Sequence, residues 1–78
     1  MEPTGKTLRL ERVAADLTVN AVAGAMGVSR TTIWTIERRA AVPAEQAVAY
    51  RDAVARLSRF RAEFRRLAAD IEGPEAVA

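Results

Sequence analysis

The segment from Leu17 to Glu37, LTVNAVAGAMGVSRTTIWTIE, constrains this chain more than any other. It holds two short runs of helical periodicity separated only by Gly27-Val28-Ser29. Winding the second run at about 100° per residue puts Arg30, Thr31, Trp34, Thr35 and Arg38 on an arc roughly 140° wide. Ile33 and Ile36 lie almost diametrically opposite. One face is apolar. The other is cationic and hydrogen-bonding, carries one flat aromatic and holds no acid, because Glu37 falls nearer the Ile33 side. Such a division suits a helix anchored on a small core and offered to a nucleic-acid groove.

Composition narrows the alternatives. With 78 residues the chain has room for one domain, and a core this small supplies only about 3–5 kcal/mol by itself, so a second subunit is a natural supplement. Cysteine and histidine are both absent, which removes disulfides, thiolate metal sites, the usual general base and most zinc ligand sets. Ser29 and Ser58 have no histidine or lysine placed to activate them, so an enzyme is not expected. We expect no cofactor and no metal. The residues after Met1, Glu2-Pro3-Thr4-Gly5-Lys6, do not read as a secretory leader, and no apolar run approaches about 18 residues, so the expected location is the cytoplasm. The net charge is +2. Through Ala40 six basic residues meet four acids, and from Ala41 onward six arginines meet six acids. The surplus therefore sits in the half that holds the candidate reading helix, as phosphate binding requires.

Along the chain, the first six residues, with Pro3 and Gly5, read as a loose arm. Leu8, Leu10, Val13, Ala14 and Leu17 recur at helical spacing and predict a first helix over Thr7 to Ala15. Thr18 is placed to cap a second helix, Val19 to Met26, with Val22, Ala23 and Met26 inward. Gly27 ends it, since a glycine has no Cβ to forbid the left-handed conformation that follows a helix. Ser29 caps a third helix that lasts to about Arg38. Pro43 suits the first turn of a fourth helix, and no Gly or Pro interrupts Ala44 to Glu72 before Gly73-Pro74. Such a helix is roughly 43 Å long, too long for a globule of this size to cover, so part of it projects or folds back. Tyr50, Ala53, Leu57, Phe60, Phe64, Leu67 and Ile71 alternate steps of three and four, the repeat of a coiled-coil seam. The last residues, Glu75 to Ala78, read as frayed.

The pattern A-x-x-x-G-V-S-x-x-T-I-x-x-I-E, carried by Ala23, Gly27, Val28, Ser29, Thr32, Ile33, Ile36 and Glu37, resembles the Cro/repressor-type, or XRE-type, helix-turn-helix family. Leu8-Arg9 with Arg12 is similar to that family's first helix, and Pro43-Ala44-Glu45 to the start of its fourth. The resemblance spans about Leu8 to Leu57. It implies an all-α fold, a compact helix-turn-helix domain of four helices, with the second helix across the DNA backbone and the third in the major groove. It further implies Ser29 near a phosphate, Arg30, Thr31 and Thr35 at base edges, Arg38 near the backbone, and a partly buried ion pair between Arg12 and Glu37. The chain departs from the family at Val19, where Gln is frequent, at Arg39, where Gly is common and an added phosphate contact becomes available, and at Ala44, which replaces a Ser cap. After Leu57 the family turns into a short fifth helix, whereas this chain continues Ser58-Arg59-Phe60-Arg61.

Two features keep several readings. Trp34 lies among the polar residues, and an exposed indole implies contact with something: a DNA sugar or thymine methyl, a protein partner, or a neighbouring loop. The stripe Phe60, Phe64, Leu67 and Ile71 packs back as a replacement fifth helix, forms a dimer seam, or lies on a membrane. The interspersed acids Glu63, Asp70 and Glu72 argue against the membrane, and the seam is preferred because two phenylalanines beyond an already complete domain otherwise stay wet. The expected organisation is a DNA-binding domain over 1–57 with its arm, then a C-terminal helical extension and frayed tail over 58–78. The expected function is that of a dimeric, sequence-specific regulator of double-stranded DNA, similar to phage Cro-type or antitoxin-type repressors. The rival keeps the fold but makes it an adaptor or antitoxin whose partner is a toxin or the transcription machinery.

Overall fold

The computed structural model describes residues 2–71, in which four helices follow one another: α1 (Gly5–Ala14), α2 (Val19–Met26), α3 (Arg30–Arg38) and α4 (Ala44–Ile71). Each of the first three begins on a side chain that accepts the backbone N–H three residues on: Thr4 from Thr7 at 3.1 Å, Thr18 from Ala21 at 3.0 Å and Ser29 from Thr32 at 3.2 Å. Three otherwise unpaired donors are thus satisfied locally. The ends of α1 and α2 share one device. Gly27 takes φ 70°, letting the Val28 N–H reach back to the Ala23 carbonyl and the Gly27 N–H to that of Gly24. Asp16, at φ 58°, does the same for α1, where Leu17 bonds back to Arg12 and Asp16 to Val13. Both are left-handed helix stops, one on glycine and one on a short polar residue that tolerates the conformation.

The core is small and continuous. Leu8, Leu17, Val22, Ala23, Ile33, Ile36, Val42, Ala47, Tyr50 and Ala53 are buried together, with Met26, Val54 and Leu57 packed on their edge. All four helices contribute, and only the first ten residues or so of α4 take part.

Several sequence expectations change. The loose arm is shorter than six residues, because α1 starts at Gly5 and the strand of chain before it is tied down. The Gly5 N–H donates to the Arg39 carbonyl at 2.8 Å, and the Val42 N–H to the Pro3 carbonyl at 2.9 Å. On α1 the inward face is Gly5, Leu8 and Arg12, while Leu10 and Val13 are exposed. Their apolar spacing is real but points outward, since residues 5, 8 and 12 share one side of a helix and 10, 13 and 14 the other. Pro43 stands just before α4, its carbonyl accepting from Ala47 at 2.9 Å, so it precedes the first turn instead of occupying it. The seam stripe divides: Tyr50 and Ala53 are wholly buried in the domain's own core, whereas Phe60, Phe64, Leu67 and Ile71 are exposed. α4 therefore projects and does not fold back as a fifth helix, which gives the molecule extents of 53 × 24 × 17 Å. The expected stop at Gly73-Pro74 and the frayed end lie outside the described residues.

Candidate nucleic-acid interface

The candidate surface is the outer side of α3. Ile33 and Ile36 are buried almost completely against the core to which α1, α2 and α4 contribute, while Ser29, Arg30, Thr31, Trp34, Thr35, Arg38 and Arg39 are exposed. α4 packs chiefly on α2 and α1 and leaves that outer side uncovered. Helical periodicity dictates the division, and the tertiary structure keeps it open.

Glu37 explains how α3 is held. Its carboxylate accepts from Arg12 Nε at 2.8 Å and Arg12 Nη2 at 3.2 Å, and from the Tyr50 hydroxyl at 2.6 Å. Arg12 Nη1 donates in addition to the Leu17 carbonyl at 2.9 Å, so one guanidinium joins α1, the α1–α2 turn and α3. Burial by itself would push the Glu37 carboxyl up, yet the hydrogen bonds from Arg12 and Tyr50 outweigh it and hold the group below the usual carboxylate range. The bond to Glu37 raises Arg12 above its ordinary value. Burial, then the same carboxylate, pushes the Tyr50 hydroxyl up. Tyr50 was missed from sequence because its spacing fits the seam; the usable signal was chemical, since a buried tyrosine needs a partner for its O–H.

These shifts set a pH profile. A depressed Glu37 contributes stability that is present above the ordinary carboxylate pKa of about 4.3 and is lost as pH falls through the folded-state value. A raised Tyr50 contributes stability present below about pH 10 and lost as pH rises through its folded-state value. No histidine titrates between them. Thermal melting should therefore show a plateau from about pH 5 to pH 9 with acid and alkaline shoulders; replacing Tyr50 with Phe should remove part of the alkaline one. A melting temperature that climbs below pH 4 would contradict the arrangement.

The outer face of α3 is cationic and carries no acid. Arg51, Arg56, Arg61 and Arg66 are each drawn to an acid: Glu11, Asp52, Asp16 and Glu63. Among the described residues, Arg30, Arg38 and Arg39 enter no such pair. Lys6, Arg9, Arg59 and Arg65 also lie outside any ion pair among the described residues, so what sets this face apart is the absence of an acid on it. The Arg30 guanidinium lies over the Trp34 ring, 5.2 Å from its centroid, a cation–π contact one helical turn long. The Thr35 hydroxyl donates back to the Thr31 carbonyl at 3.0 Å, which uses its hydrogen within the helix and leaves its oxygen able to accept. Ser29, while capping α3, also meets the Thr32 hydroxyl at 3.0 Å. Among the described residues no group of three or more acids is gathered as a metal would need, and no helix is long and apolar enough to cross a membrane.

The profile of the family described as "Helix-turn-helix domain" matches residues 5–67. The chain belongs to this helix-turn-helix family. The match covers all of α1 to α3 and most of α4, in agreement with the Cro/repressor-type resemblance of the α2–α3 motif. No curated protein and no solved structure matched. Within this helix-turn-helix domain, whose family suggests DNA as the partner, α3 occupies the position of the second helix of the motif.

Proposed function

We propose that this helix-turn-helix protein is a sequence-specific regulator of transcription that inserts α3 into the major groove and acts as a homodimer on a near-palindromic operator, in the manner of Cro-type repressors. The observation that carries the reading is the exposed, acid-free face of α3, where Arg30, Arg38 and the C-cap Arg39 have no acidic partner while two isoleucines clamp its back. Arg30 suits a guanine edge, where a bidentate pair discriminates by about 1–3 kcal/mol. Thr31 and Thr35 suit base edges and thymine methyls. Ser29, Arg38 and Arg39 suit phosphates, which position the helix without reading sequence. Trp34, stacked under Arg30, holds that guanidinium flat and keeps its own edge for a sugar or a thymine methyl. As a regulator the protein works by occupancy in the cytoplasm, without catalysis or cofactor.

Selection of bound sites from random duplexes at physiological salt is the direct test, and it should return one symmetric motif with half-sites about one helical turn apart. The same selection with Arg30→Ala should lose preference at a single position in each half-site, a fall of roughly 5- to 150-fold in discrimination there. Equal weakening on every sequence would make Arg30 a phosphate anchor. No enrichment with the unaltered protein, alongside tight capture of a toxin or polymerase subunit, would favour the adaptor reading.

A further inference from the structure

Where α4 leaves the domain, Leu57, Phe60 and Phe64 face Leu17 and Ala21 across an open groove of about 340 Å³, with Arg61 at its edge. Arg61 is fastened there by bonds to the Asp16 carbonyl at 3.0 Å and its carboxylate at 3.4 Å. The groove is continuous with the bare stripe of α4. Phe60, Phe64, Leu67 and Ile71 are 71, 63, 53 and 80% exposed. We infer that the groove receives the end of α4 from a second copy, running antiparallel, so that Leu67 of each chain enters the groove of the other beside Leu57 and Ile71 lies past it at the rim.

Three observations lead to this arrangement, which deepens the dimer proposed above. First, the groove, which begins at Leu57, and the bare tail of the stripe, Leu67 and Ile71, sit at opposite ends of one segment. A two-fold crossing near residue 62 lays the uncovered tail of each copy over the groove of the other; a parallel pairing matches groove level with groove level and leaves the α2 wall open. Second, the area suffices. Four large side chains this exposed offer roughly 500 Å² per copy, so a matched pair removes about 1,000 Å² from water, the lower bound for a specific interface. Third, charge distinguishes the directions. With Leu57, Phe64 and Ile71 sharing one seam position and Phe60 and Leu67 the other, Arg56, Glu63 and Asp70 flank one side and Arg61 the other. Parallel chains set Arg56 beside Arg61 of the second copy, like against like. Antiparallel chains set Arg56, which holds Asp52 in its own chain, beside a second acid, Asp70. The like pairs that meet near the axis, Glu63 with Glu63 and Arg61 with Arg61, are each already bonded within their own chains, to Arg66 and to Asp16.

The test uses the whole chain, whose lack of cysteine makes single-cysteine variants clean. Light scattering should give twice the chain mass, and Phe64→Glu should halve it while circular dichroism keeps the helical signal. A short bifunctional maleimide should link Glu63→Cys to itself and leave Leu67→Cys unlinked. Linking at Leu67→Cys with none at Glu63→Cys overturns the antiparallel arrangement, and a monomeric mass for the unaltered protein overturns the dimer. Each readout is made without DNA. A protein that dimerises and cross-links as stated yet selects no operator defeats the DNA-binding reading alone; one that selects an asymmetric single site as a monomer defeats the dimer, here and in the proposed function, and leaves the insertion of α3 into DNA standing.

Discussion

Glu37→Ala should remove a large share of the protein's stability. The substitution removes the acceptor for Arg12 and Tyr50 at once and leaves a guanidinium with 11% side-chain exposure without its counter-charge. Breaking one partner of a buried pair costs about 3–5 kcal/mol, and a domain of this length has of the order of 4–12 kcal/mol in all. The loss is therefore from about a quarter of the whole to nearly all of it. Desolvation also makes the pair a poor net stabiliser compared with apolar residues, so Arg12→Met combined with Glu37→Leu and Tyr50→Phe should recover much of what the single change loses. Urea titration followed by helical circular dichroism decides the matter. An unchanged midpoint for Glu37→Ala would mean that Arg12 finds water or another acceptor, and that the junction of α1, α3 and α4 does not rest on this carboxylate.

Gly5→Ala should be the second severe change, although alanine is ordinarily the better helix former by about 1 kcal/mol. A Cβ on Gly5 would overlap the Ile36 carbonyl oxygen and stand 2.6 Å from the carbonyl carbon and oxygen of Glu37. Those atoms are backbone of α3 and cannot swing aside as a side chain can. The start of α1 would have to withdraw, losing its 2.8 Å bond to the Arg39 carbonyl, so the cost should reach or pass the upper end of the ~1–3 kcal/mol typical of overpacking. Gly24→Ala is the matched control. Nothing lies within 4 Å of a Cβ there, and inside α2 the change should stabilise by about 0.5–1 kcal/mol. Melting temperatures should thus move in opposite directions. A Gly5→Ala protein as stable as Gly24→Ala would mean that α1 does not approach the end of α3 so closely.

The contrast between those glycines shows which parts of the molecule could be read from sequence. Gly27 was legible, because its left-handed stop is a matter of the residue and its two neighbours. Gly5 was not, because what forbids a side chain there is a carbonyl more than thirty residues away. Asp16 adopts the same left-handed conformation as Gly27, but aspartate occurs in so many settings that its letter carries little signal. The face of α3 was legible for the same reason as Gly27: a rotation of about 100° per residue assigns sides to a helix before anything packs on it.

The caps of α2 and α3, the stop at Gly27, the bounds of those two helices and the two-sidedness of α3 were thus determined by the chain locally, through hydrogen bonds and angles that span no more than five residues. The tertiary structure alone decided which apolar residues go inside. It took Leu8 and the stem of Arg12 but left out Leu10 and Val13, and it took Tyr50 and Ala53 but left out Phe60 and Phe64. Periodicity reports that a face is apolar and says nothing of what covers it, because burial belongs to pairs of surfaces brought together over the whole chain. On α4 the domain runs out of surface after Leu57, and beyond that point Phe60, Phe64, Leu67 and Ile71 stay exposed.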